Sequence, residues 1–122
     1  MKIFVYGTLR HGQANARRFG LTEPVETDVV LDGFDMFDLG WFPGIVPGAG
    51  SVVGDVFEID PKTQLGLLDA YEGYPNLYTR QVVDVDDGVD TIYHGVSVYV
   101  YNNSTRGAQQ VLGGNWLDRK VG

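Results

Sequence analysis

Two stretches of this sequence combine residue types that can do chemistry. The first, Tyr6-Gly7-Thr8-Leu9-Arg10, sets a glycine turn directly after a short apolar run, with a hydroxyl and a guanidinium close by. Consecutive backbone N–H groups in such a turn can form a concave nest for a carboxylate or an oxyanion, and Arg10 can add charge. The pattern is generic, and an ordinary strand-ending turn uses the same residues. The second stretch, Leu67-Leu68-Asp69-Ala70-Tyr71-Glu72-Gly73-Tyr74-Pro75, is followed by Tyr78 and Arg80. A Glu at a helix C-terminus faces the negative end of the macrodipole, which disfavours its charged form by roughly a few tenths of a kcal/mol or more. Surrounding aromatics disfavour the charge further. Together these influences can raise a carboxyl from its reference near 4.3 toward roughly 6 to 7, where a general base can also return its proton. A solvated Glu at a frayed helix end is the competing reading for Glu72.

The elements that must position these residues are short. Lys2 to Tyr6 reads as a buried strand stopping at Gly7, and Gln13 to Phe19 as a short helix ahead of Gly20. Val25, Thr27, Val29 and Leu31 alternate with polar residues, and Gly33 to Leu39 resumes as a second extended run. Trp41 to Gly48 carries two prolines and two glycines, which predicts an apolar, rigid loop rather than a sheet interior. Gly54 to Ile59 is another strand. Asp60-Pro61 then predicts a helix start, with Asp as N-cap and Pro at the first helical position. Leu65, Leu68 and Tyr71 supply its buried stripe, and Gly73 suits a left-handed end, so Glu72 stands at the helix exit. Tyr78 to Val85 and Tyr93 to Tyr101 are two more strands, joined through the Asp87-Gly88 turn signal. The tail after Asn102 is ambiguous, with Trp116 expected to anchor it. Six or so strands with one main helix predict an α+β fold, either a curved, mostly antiparallel sheet or a small barrel; closure hides strand edges, so the expected form is a small mixed, mostly antiparallel β-barrel.

At 122 residues the sequence is expected to form one domain over 1–122, and with 43% hydrophobic and 20% charged residues it should fold. It contains no cysteine, which removes thiolate nucleophiles and cysteine zinc sites. The first residues are too short an apolar run for a signal peptide, and nowhere do about 18 apolar residues run together, so the cytoplasm is the expected location. A net charge of −7, with only Arg17-Arg18 and Arg119-Lys120 as paired bases, argues against a general nucleic-acid binder, and the lack of a long apolar run predicts no membrane partner. An anionic ligand would have to be held by a few local donors against the field of the whole chain. His11 and His94 lack metal-ligand spacing, and Thr8 with His11 lacks an orienting acid. Asp84, Asp86, Asp87 and Asp90 lack the spacing of a calcium loop.

Four motifs occur in order: Tyr6-Gly7-Thr8-Leu9, Gly54-Asp55-Val56-Phe57, Leu68-Asp69-x-x-Glu72-Gly73 and Tyr78-x-Arg80. Together they resemble the γ-glutamylcyclotransferase-like (AIG2-like) family from Lys2 to about Tyr101. The Gly-Thr-Leu-Arg-His-Gly stretch is most similar to the branch acting on γ-glutamylamines. The resemblance implies that Glu72 is the acid/base residue and that the loop from Tyr6 to Leu9, with Arg10 beside it, binds the γ-glutamyl part of a small substrate. It further implies the family barrel, no metal and no organic cofactor, and a cavity beside Tyr78 and the Pro43 to Pro47 segment. Tyr78 would either hydrogen-bond Glu72 or pack against the ligand, and a pure core role competes with both. The implied reaction is intramolecular: the α-amine attacks the γ-carbonyl and expels the γ-linked amine as 5-oxoproline forms. A non-catalytic small-molecule-binding module on the same fold is the alternative. The leaving amine and the oligomeric state stay open, as does whether the loop amides hold the α-carboxylate or the oxyanion.

Overall fold

The computed structural model describes residues 1–119; Gly122, where the expected domain ends, and Lys120 of the Arg119-Lys120 pair lie outside the described residues. The elements run β1 (Lys2–Val5), α1 (Ala14–Arg18), β2 (Pro24–Asp38), β3 (Pro43–Glu58), α2 (Leu65–Glu72), β4 (Tyr78–Asp86), β5 (Ile92–Tyr101) and β6 (Gln109–Val111), with a 3₁₀ turn at Trp116–Asp118. The strands follow the order β3-β1-β5-β4-β2, and β2 pairs again with β3, so five strands close a barrel while β6 adds to β2 outside it. All pairings are antiparallel except β1 with β5, where Phe4 lies opposite Val98. The expected mixed, mostly antiparallel barrel with one main helix is therefore what the chain forms.

Closure explains the apolar run at the start of the chain. β1 lies between β3 and β5, and its apolar residues Ile3, Phe4 and Val5 are buried on both faces. Its alternate side chains feed two clusters. Phe4 joins a core built from all five barrel strands and Trp116, while Ile3 and Val5 join Leu9, Ala16, Leu68, Tyr78 and Tyr99 beneath the two helices. Trp116 is 2% exposed and holds the tail against the barrel, as expected.

Several boundaries differ from the sequence reading. The runs expected at 25–31 and 33–39 are one continuous strand, β2, whose register shifts between Asp32 and Phe34, where Gly33 takes φ +92°. Pro43 to Gly48, expected as a loop, is the first half of β3 and pairs with β2 from Asp38↔Pro43 to Phe34↔Pro47. Both prolines fit because β1 pairs only with the far half of β3, Asp55 to Glu58, which leaves this half with a single neighbour. Asp60 does accept the Lys62 N–H through its side chain at 2.9 Å, but the segment after it is a turn and the regular helix starts at Leu65. Leu68 is fully buried on α2, whereas Tyr71 is 41% exposed and does not belong to the buried stripe. The Asp87-Gly88 hairpin between β4 and β5 is present as expected. Among the described residues no helix is long and apolar enough to cross a membrane.

Candidate active site

β1 delivers the chain into the turn at Gly7, closed by the Arg10 N–H donating to the Gly7 carbonyl at 3.1 Å. A Cβ at Gly7 would stand 2.7 Å from Pro43 Cγ, so only glycine lets the loop pass beneath the start of β3. Among the described residues, the amides of Gly7, Thr8 and Leu9 donate to no protein acceptor. On the facing side, α2 stops at Glu72 because Gly73 turns left-handed at φ 66°, and the Tyr74 N–H returns to the Asp69 carbonyl at 2.9 Å. Both features open onto one cavity of about 230 Å³, lined by Val5 to Leu9, Phe42, Pro43, Tyr71, Glu72, Leu77, Tyr78 and Tyr99.

Glu72 is the chemically unusual group in this wall. Burial raises its carboxyl from 4.5 to about 7, and no protein group among the described residues donates a hydrogen bond to it. Of the two influences expected from the sequence, the helix dipole and the aromatic surroundings, it is withdrawal from water that raises the carboxyl in the fold. Three phenols surround it, and burial, followed by neighbouring phenol and carboxylate charge, pushes Tyr6 and Tyr78 well up, so both stay neutral. Burial and the Asp69 carboxylate do the same for Tyr99. Each of the three donates its proton to the protein: Tyr6 to the Tyr99 carbonyl at 2.7 Å, Tyr78 to the Pro43 carbonyl at 2.6 Å and Tyr99 to Asp69 at 2.6 Å. Only lone pairs remain to offer on those oxygens. The wall holds no Lys or Arg. The residues lining the cavity thus offer acceptors, a carboxyl and backbone amides without a protein acceptor, a set of groups suited to a small zwitterion.

Of the residues singled out in the sequence, Tyr6, Gly7, Thr8, Leu9, Glu72 and Tyr78 line this one cavity. Arg10 does not, which corrects its expected place at the ligand. It is 3% exposed and turned away, clamping Asp55 through Nε and Nη2, each at 3.2 Å, while also reaching Asp28 and, at 3.0 Å, Asn115. Asp55 further accepts the His11 and Asp28 N–H groups at 2.9 Å each. A buried guanidinium beside a buried carboxylate has no reason to leave it for solvent or ligand. Tyr78 makes no hydrogen bond to Glu72; it is at once core and cavity wall. Of the Pro43 to Pro47 segment, Pro43 reaches the cavity and Pro47 does not.

The sequence reading missed Tyr99, Leu77 and the mouth residue Tyr71, whose hydroxyl accepts from Asn15 Nδ2 at 2.9 Å and lies 3.4 Å from Thr8 Oγ1. Asp55, an acid inside the apolar strand Gly54 to Phe57, was the one available sign that Arg10 had a buried partner. Among the described residues no three His, Asp or Glu side chains converge as a metal site.

The family described as "Gamma-glutamyl cyclotransferase, AIG2-like" matches residues 3–118, and the chain belongs to it. The gamma-glutamylcyclotransferase family protein YtfP of Escherichia coli K12 is 38% identical over 119 residues, covering 98% of each chain. Its solution structure has a TM-score of 0.73 to this chain, with 37% identity over 97% of both. The gammaglutamylaminecyclotransferase of Rattus norvegicus is 30% identical over 118 residues, covering 84% of this chain and 78% of the relative.

Proposed function

We propose that the chain is a γ-glutamylcyclotransferase-type enzyme that releases 5-oxoproline and a free amine from a small γ-glutamyl compound, with γ-glutamylamines as the first candidates. The observation that carries the proposal is Glu72: a half-buried carboxyl raised to about 7 without a hydrogen-bond donor, lining the same cavity of about 230 Å³ as the Gly7 to Leu9 loop, whose amides have no protein acceptor among the described residues. Family membership and the rat relative's name support the substrate class.

The substrate α-ammonium cannot attack until it loses a proton, and Glu72 takes it. The freed amine nitrogen bonds to the γ-carbonyl carbon, giving a tetrahedral intermediate with an oxyanion. As that intermediate collapses, Glu72 returns its proton to the γ-linked nitrogen and that C–N bond breaks; the surplus proton on the new ring nitrogen then passes through Glu72 to the released amine, leaving the lactam N–H of 5-oxoproline and an ammonium. One carboxyl therefore serves both steps, and a value near 7 suits both directions of transfer. The Gly7 to Leu9 amides provide donors for the negative charges of substrate or intermediate, fixed in place before reaction. Much of the acceleration comes from holding a flexible chain curled for ring closure. Tyr71 and Phe42, both partly exposed, place aromatic surface at the mouth, where the leaving amine would project.

The test is chromatographic detection of 5-oxoproline after incubating the protein with γ-glutamyl-lysine, γ-glutamyl-alanine, glutathione and a γ-glutamylated aminoglycoside-like amine. Product from at least one is expected. Binding of the panel without any product would favour the non-catalytic module instead.

A further inference from the structure

Arg80 lies outside the cavity wall, yet it touches the chain on both sides of Glu72. Its Nε is 3.0 Å from Asp69 Oδ1, an ion pair outside good hydrogen-bond alignment, and Asp69 stands one helical turn before Glu72. Its guanidinium carbon sits 4.3 Å from the ring centroid of Tyr74, two residues after Glu72. Asp69 Oδ1 also accepts the hydroxyl of Tyr99, a cavity residue on β5. The last turn of α2 is therefore fastened to β4 through Arg80 and to β5 through Tyr99. The helix spans 8 residues, buries Leu68 alone and has no side-chain cap; further side-chain ties run toward α1, through Tyr71 to Asn15 and Phe19 and through Gln64 to the Phe19 carbonyl, so Arg80 and Tyr99 are the polar ties between its last turn and the barrel strands.

We propose that Arg80 is a positioning residue for Glu72, gripping Asp69 before it and Tyr74 after it so that the end of α2 aims the carboxyl into the cavity. The inference rests on the reaction assigned above to Glu72. Arg80 acts in two ways that can be separated. Its planar guanidinium stacks on Tyr74, which a lysine ammonium does less well. Its charge balances Asp69, which shares a helix face with Glu72 at the i, i+3 spacing. The titratable groups that sense the charge of Glu72 are Tyr6 beyond β1, Tyr78 on β4 and Tyr99 on β5; Asp69 and Tyr71 stand on α2 itself, and Arg80 on β4 reaches Asp69. Removing Arg80 leaves Asp69 uncompensated among them, which favours the protonated form of Glu72.

The experiment compares wild type, Arg80→Lys and Arg80→Met by steady-state release of 5-oxoproline across pH. A carbon-13 NMR titration of the Glu72 carboxyl supplies a readout independent of turnover. Arg80→Met should lower kcat about 10- to 100-fold with KM within about two-fold, as expected for a misaimed group, and should move both the acidic limb and the carboxyl midpoint to higher pH. Arg80→Lys should keep the midpoint and lose part of kcat. If kcat per folded molecule and the midpoint stay at wild-type values in both variants, the positioning role is wrong. If wild type yields no product, the reaction assignment falls by itself; the Glu72 titration then still decides, a raised midpoint in Arg80→Met supporting the brace and an unchanged one overturning it. Should Arg80→Met fail to fold, Arg80→Lys alone decides: an unaltered kcat overturns the stacking contact and with it the proposal.

Discussion

Two carboxylates are withdrawn from solvent on either side of the turn that follows β1, and the fold treats them in opposite ways. Asp55 is 2% exposed and accepts from two guanidinium nitrogens and two backbone amides. Glu72 borders a cavity, and no protein donor among the described residues reaches it. The first arrangement is complete: charge is matched, lone pairs are used, and the loop from Gly7 to His11 is bolted to β3 through Asp55 and to β2 through Asp28, where the β2 register shifts between Glu26 and Val29. The second is deliberately incomplete, since a carboxyl that must exchange protons with a substrate has to keep its lone pairs free. A buried charge with all its partners is architecture, and one without them is a place for chemistry.

Breaking the complete site should have the largest effect on stability. Asp55→Asn leaves the Arg10 charge buried with only Asp28 to face it, and removing one partner of such a pair costs about 3–5 kcal/mol. Urea unfolding measures it, and a loss below about 1 kcal/mol would mean the cluster is better hydrated than its geometry implies.

The incomplete site should respond with the opposite sign and a smaller size. The folded value of Glu72, about 7, lies above its ordinary 4.5, so the folded state binds that proton more tightly than the unfolded chain does. Its contribution is fully favourable below about 4.5, falls as pH rises toward 7, and is a net cost above that. Glu72→Gln removes the titration, so the variant should gain stability relative to wild type between pH 5 and pH 8, by about 1–3 kcal/mol. Paired thermal melts at the two pH values check it, and a difference that does not change with pH would contradict the half-buried, donor-free carboxyl.

The same contrast explains what was legible in the sequence. Tyr6-Gly7-Thr8-Leu9 and Glu72-Gly73 were readable because a glycine turn after an apolar strand and a glycine at a helix exit each have a local cause. Arg10 was misjudged because nothing local says which way a side chain leaves a turn; its direction is set by Asp55, 45 residues away and buried by closure of the barrel. Pro43 to Gly48 was misread for a similar reason, since a proline is tolerated in a strand wherever the sheet leaves one side unpaired, and that depends on where β1 ends. Tyr71 falls at the expected helical spacing from Leu68, yet the cavity stands where more core would otherwise be. Arg80 and Asp69 each sat in a motif, but their contact needed the fold.

The most direct measurement is the rate of 5-oxoproline release by wild type and Glu72→Gln on the best substrate of the panel, followed across pH. General acid–base transfer by one side chain is worth about 10²- to 10⁴-fold. Glu72→Gln should lose activity in that range while remaining folded, and wild-type kcat/KM should fall on the acidic side with a midpoint near 7. Full activity in the variant, or an acidic limb at the ordinary carboxylate value near 4.5, would contradict the role assigned to Glu72.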